Sequence, residues 1–63
     1  MQFTLKAIRI DRGFSQDEAA KLIGISGDTL SNYERGKSFP DIPTLKKIEE
    51  VYNIKYENIN FFP

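Results

Sequence analysis

Along the chain, apolar residues recur at intervals of three and four rather than two, the spacing of one face of a helix. Breaks fall at Gly13, Gly24, Gly27, Gly36, Pro40 and Pro43, so the pattern predicts an all-helical chain of short segments. The first runs from about Thr4 to Arg12, with Leu5 and Ile8 on one face and Lys6, Arg9 and Arg12 around the rest. Gly13 follows as its natural C′ residue. Ser15 through Glu18 form a capping box with acids in the first turn, which predicts a second helix carrying Ala19, Ala20, Leu22 and Ile23 up to Gly24. Ile25 is expected to plug inward. Ser26 caps a third helix, about Gly27 to Arg35, with Leu30 and Tyr33 toward the core and Gly36 at its end. Asp41 caps a fourth, in which Pro43 sits in the first turn and Leu45, Ile48, Val51 and Tyr52 form a stripe. A last helical turn is expected around Tyr56 to Ile59, before the apolar end Phe61, Phe62 and Pro63.

Composition narrows the picture. The chain has 63 residues, room for one thin core and a single domain over 1–63. A 40% hydrophobic share is enough to fold. Without Cys or His, no disulfide, thiolate or imidazole chemistry is available, and no pair of titratable groups stands out as acid and base in a cleft. The sequence therefore reads as a non-enzyme with no cofactor and no metal site. Nine basic against nine acidic side chains leave a net charge of zero, so a polyanionic partner would have to be met by a local patch. No apolar run approaches the roughly 20 residues of a membrane span, and the start lacks a signal-peptide pattern, so a cytoplasmic protein that does not contact membrane is expected.

The informative region is Gln16 to Arg35. Two helices that cross steeply need a small residue at their approach, a positive-φ residue at the turn and large apolar residues beyond it. Ala20, Gly24, Leu30 and Tyr33 meet those needs in order. The second of these helices then exposes Gly27, Asp28, Ser31 and Asn32 on a face that fits a DNA major groove. Asn32 is an outward amide of the kind that pairs with adenine N6 and N7. A mid-helix surface Asn with no partner is the plainer alternative.

In Ile8-Arg9, Gly13-Phe14-Ser15-Gln16, Ala19-Ala20, Gly24-Ile25-Ser26, Leu30 through Lys37 and Pro40, the chain resembles the Cro/C1-type (XRE-like) helix-turn-helix family of phage and bacterial repressors. The resemblance covers nearly the whole chain and implies a five-helix, lambda-repressor-like domain whose third helix is the recognition helix. It also implies roles. Gln16 would bond a phosphate and brace the recognition helix, where orphan amides and the dipole favour an anion, although it also serves as a plain first-turn residue. Ser26 would donate to a phosphate or touch a base, besides capping. Arg35 and Lys37, around Gly36, would clamp the backbone. Arg9 and Glu34 would form an ion pair between the first and third helices. The family's dimer contact lies near its last helices, where Tyr56, Ile59, Phe61 and Phe62 offer an apolar patch that either folds back or meets a second copy.

Two positions depart from the family. Gly27 stands where a long side chain commonly reaches a base edge, and Asp28 brings negative charge toward phosphates, although a carboxylate also suits a helix start or the cytosine amino group. Two functions follow. The first is a sequence-specific DNA-binding regulator of the small phage or prophage kind, a homodimer on a double-stranded operator. The second is a protein-binding antirepressor or adaptor of the same fold, whose partner would be a repressor protein.

Overall fold

In the computed structural model, which describes residues 2–62, the elements are β1 (Phe3–Thr4), α1 (Leu5–Asp11), α2 (Gln16–Ile23), α3 (Gly27–Glu34), α4 (Ile42–Tyr52), a 3-10 turn (Tyr56–Asn58) and β2 (Ile59–Asn60). Met1 and Pro63, the ends of the expected 1–63 domain, lie outside the described residues. Every α-helix starts where a short polar side chain takes up one of the amides that the helix leaves orphaned. Thr4 accepts from the Ala7 amide at 3.1 Å, Ser15 from Glu18 at 3.1 Å, Ser26 from Thr29 at 3.1 Å and Asp41 from Thr44 at 2.9 Å. At Ser15 the exchange is reciprocal, because its own amide donates to Glu18 Oε1 at 2.9 Å.

Among the described residues the fold is a small helical domain with four α-helices. The fifth helix expected from the family resemblance is a single 3-10 turn without a side-chain cap. Asn53, at φ 51°, ends α4 in the left-handed conformation that Asn tolerates, and only a few residues then remain before Ile59 must enter the core. There the chain extends, and β2 pairs in parallel with β1 in the register Phe3 to Ile59 and Thr4 to Asn60. Gln2 adds a bond from its amide nitrogen to the Glu57 carbonyl at 3.1 Å. Both ends of the described chain are thus fastened to each other.

The core is one cluster of Leu5, Ile8, Ala19, Ala20, Ile23, Leu30, Tyr33, Ile48, Tyr52 and Ile59, with Phe14, Ile25, Val51, Ile54 and Phe61 packed at its border. Leu22, expected on the apolar face of the second helix, is half-exposed. The helix is short enough that Ala19, Ala20 and Ile23 complete its inner stripe. A further tie comes from Arg12, whose Nε donates to the Tyr52 carbonyl at 2.7 Å and so satisfies one of the orphan carbonyls at the end of α4.

Candidate nucleic-acid interface

The turn between α2 and α3 takes three residues. Gly24, at φ 88°, turns the chain with nothing within 4 Å of the position a Cβ would occupy, so glycine is required there by backbone conformation and not by space. The Gly24 and Ile25 amides both donate to the Ala20 carbonyl, at 2.8 and 3.0 Å, and Ser26 then opens α3. Ala20 and Leu30 are buried at the crossing, and Tyr33 closes it from below. Gly27 sits at a second close approach. A Cβ there would meet Asp17 Oδ1 at 3.1 Å, so the first turns of α2 and α3 touch through an aspartate and a residue without a side chain.

A buried polar network locks the two helices to α1. Arg9 Nε donates to Glu34 Oε2 at 2.7 Å and Nη2 to Glu34 Oε1 at 3.3 Å, while Nη1 donates to the Phe14 carbonyl at 3.0 Å. Gln16 Nε2 donates to the same Glu34 Oε1 at 3.2 Å. Arg9 and Glu34 are 8% and 9% exposed, so this pair has left water and depends on these bonds for compensation. The last residue of α3 is thereby held by residues from α1 and from the first turn of α2.

With α3 so fixed, its outward side can be described residue by residue. At 100° per residue, Leu30, Tyr33 and Glu34 define the buried face, and Asp28, Asn32 and Arg35 lie within about 60° of one another on the opposite one. Asp28 and Arg35 are exposed, and Ser31 and Asn32 half-buried. Arg35 Nη2 donates to Asn32 Oδ1 at 2.9 Å. Past it, Gly36 takes φ 72° and Lys37 is exposed, its amide bonded to the Asn32 carbonyl at 2.9 Å. A helix held at a fixed angle, with polar side chains outward and basic groups at its far end, is compatible with a groove-reading element.

The family model for helix-turn-helix proteins matches residues 5–59, from the start of α1 to the first residue of β2. The chain belongs to the helix-turn-helix family. The HTH-type transcriptional regulator ImmR of Bacillus subtilis is 44% identical over 50 residues, 79% of this chain and 39% of that protein. An uncharacterised HTH-type transcriptional regulator of Archaeoglobus fulgidus is 34% identical over 62 residues, 98% of this chain and 87% of the relative. The cryptic phage CTXphi transcriptional repressor RstR of Vibrio cholerae is 30% identical over 50 residues, 79% of this chain and 45% of that protein. This helix-turn-helix chain therefore spans under half the length of ImmR and of RstR, and most of the archaeal relative.

Within this helix-turn-helix domain the remaining expected residues fall in different places. Gln16 is the first residue of α2, with its amide already committed to Glu34 on one side. The Ser26 hydroxyl accepts from the Thr29 amide and shares a 2.8 Å bond with the Thr29 hydroxyl, so both of its contacts serve the helix start. The terminal apolar patch is not one surface. Ile59 is only 4% exposed and belongs to the core, because pairing with Phe3 turns its side chain inward, and Phe61 is half-buried against that core. Tyr56 and Phe62 stay out at 57% and 73% exposure, and the Phe62 ring lies 5.3 Å from Phe39. Phe39 and Asp17 had no signal in the hydrophobic pattern, since one is an isolated aromatic before Pro40 and the other reads as a first-turn acid. Among the described residues, no helix is long and apolar enough to cross a membrane.

Proposed function

We propose that this domain, taken as a unit over 1–63, is the DNA-reading part of a transcriptional regulator that places α3 in the major groove of a double-stranded operator. The observation that carries the proposal is the outward face of α3, where Asp28, Asn32 and Arg35 are presented together while Arg9, Gln16 and Glu34 hold the helix from behind. The fold suits the lambda-repressor-like docking mode, with the 3-10 turn standing where a fifth helix would be. Gln16, at the N-terminus of α2, is positioned for a phosphate through its second amide hydrogen, and Arg35 and Lys37 for the backbone beyond the turn. A homodimer on an inverted repeat supplies the specificity that one such helix lacks, with Tyr56 and Phe62 offering exposed aromatic surface for it. A regulator of this kind acts in the cytoplasm, where its operator is. Relatives named as a phage repressor and as a prophage-derived regulator favour the same setting.

The test is selection of binding sites from a random duplex library by folded protein, followed by affinity over a salt series. An enriched inverted repeat with affinity falling steeply as salt rises supports the reading, since each phosphate contact adds about 0.9 to the logarithmic slope. The acids around the start of α3, Asp17 and Asp28, favour a second reading, in which the same helix meets a protein partner such as a repressor. Under that reading no duplex is enriched, and binding of the partner loses less affinity with salt than a series of phosphate contacts would.

A further inference from the structure

Asn32 and Arg35 are one turn apart on the exposed side of α3, and Arg35 keeps right-handed helical backbone at φ −90° and ψ 0°, so its side chain continues the same face. The bond between them runs from Arg35 Nη2 to Asn32 Oδ1 at 2.9 Å. A guanidinium has only donors, so the atom it meets must be the asparagine oxygen, and the amide orientation follows from chemistry. The NH₂ group of Asn32 is left to face away from Arg35.

This changes what the position offers to a base. An asparagine that reads adenine gives its oxygen to N6 and its nitrogen to N7. Here one of the two lone pairs of that oxygen is already taken by a cation, and an N6 amino group approaching the other would come beside the remaining donors of Arg35. What remains are the NH₂ of Asn32 and the other N–H groups of Arg35, donors on either side of that oxygen. In the major groove, guanine presents two adjacent acceptors, O6 and N7, on one base. We infer that Asn32 and Arg35 act as one reading unit that selects guanine, in place of the adenine an isolated asparagine would take. The inference rests on the DNA-reading proposal and adds the base class and the second residue. Arg35 is then both an orienting partner for Asn32 and a base contact, and not only a phosphate clamp.

The experiment is duplex selection with the wild-type protein and with Asn32→Ala, Arg35→Ala and Arg35→Lys, each first shown by circular dichroism to melt as the wild type does. Wild type should enrich a guanine preferred about 5- to 150-fold at one base pair. Asn32→Ala and Arg35→Ala should flatten that same position and no other. Arg35→Lys, which keeps the charge and loses the fork, should retain overall affinity while the preference weakens. Adenine at that position, or a sequence logo that Arg35→Ala leaves unchanged while affinity drops uniformly and the salt slope falls by about one, would overturn the inference and leave DNA reading intact. No enrichment by folded wild type would overturn both.

Discussion

Glu34 takes three donors from two side chains, Arg9 and Gln16, at a site almost closed to water, so its loss strands donors that no solvent reaches freely. Glu34→Ala leaves the Arg9 guanidinium buried with the Phe14 carbonyl as its remaining partner, and we expect a loss of about 3–5 kcal/mol in urea unfolding. The double variant Arg9→Met with Glu34→Leu should recover most of it; a single variant costing under about 1 kcal/mol would show that water reaches the pair. Tyr52 poses the opposite case. Its hydroxyl is buried without a hydrogen-bond partner, and its pKa is pushed up to about 12, first by burial and then by the Glu34 carboxylate, with Arg9 partly offsetting. Because the folded value lies above the unfolded one, near 10, Tyr52 contributes stability that is complete below about pH 10 and lost as pH rises toward 12. Tyr52→Phe should therefore be neutral or slightly stabilising at pH 7 and should flatten the alkaline limb of a stability-against-pH curve. Tyr33, raised in the same direction by burial and the Asp41 carboxylate, would supply the residual slope. The family motif made Arg9 and Glu34 legible as a pair from residues 25 apart, whereas nothing local marks the unpartnered Tyr52 hydroxyl.

At the scale of elements, the helix starts were the most legible part of the molecule, because a cap is decided by four consecutive residues. Ser15, Ser26 and Asp41 all open the helices that their spacing predicts. The strand pair was not legible: Phe3–Thr4 meets Ile59–Asn60 across nearly the whole chain, and two residues are too few to show an alternating pattern. That pairing is also why Ile59, one of the four residues of an apolar patch that could fold back or meet a second copy, is core. The capping box offers a clean test of local against tertiary control. Ser15→Ala should cost about 1 kcal/mol, measured by thermal or urea unfolding. Glu18 is held below the ordinary glutamate range by the Ser15 amide and hydroxyl. A lowered pKa contributes stability that is present above the unfolded value and lost as pH falls through the folded one. Ser15→Ala removes the hydroxyl and keeps the amide, so it should soften the acid limb only in part, whereas Glu18→Gln should flatten it; an acid limb that Glu18→Gln leaves unchanged would mean that the box is not maintained in solution.

For the whole molecule the decisive quantity is the arrangement of its charges, since their sum is zero. The acids Asp17 and Asp28 stand at the start of α3, with Asp17 Oδ1 3.1 Å from where a Gly27 side chain would begin, while Arg35 and Lys37 stand at its end. Sequence order revealed Asp28 and the two basic residues, but the placement of Asp17 against α3 exists only once α2 and α3 cross. A helix N-terminus is ordinarily the end that attracts phosphates, and here two carboxylates oppose that attraction. On a duplex, removing them should raise affinity across all sequences, because they repel the backbone whichever base lies below. Asp17→Asn with Asp28→Asn is expected to tighten binding to non-specific duplex about 5- to 50-fold at low salt, with a smaller gain at high salt, where exposed charges are screened. Lys37→Ala should act in reverse, weakening all sequences alike and lowering the salt slope by about one. The pair of variants separates the two proposed functions at the level of the molecule's field. If the acids serve a basic protein partner and not a tuned DNA contact, the double Asn variant gains nothing on DNA and loses the partner.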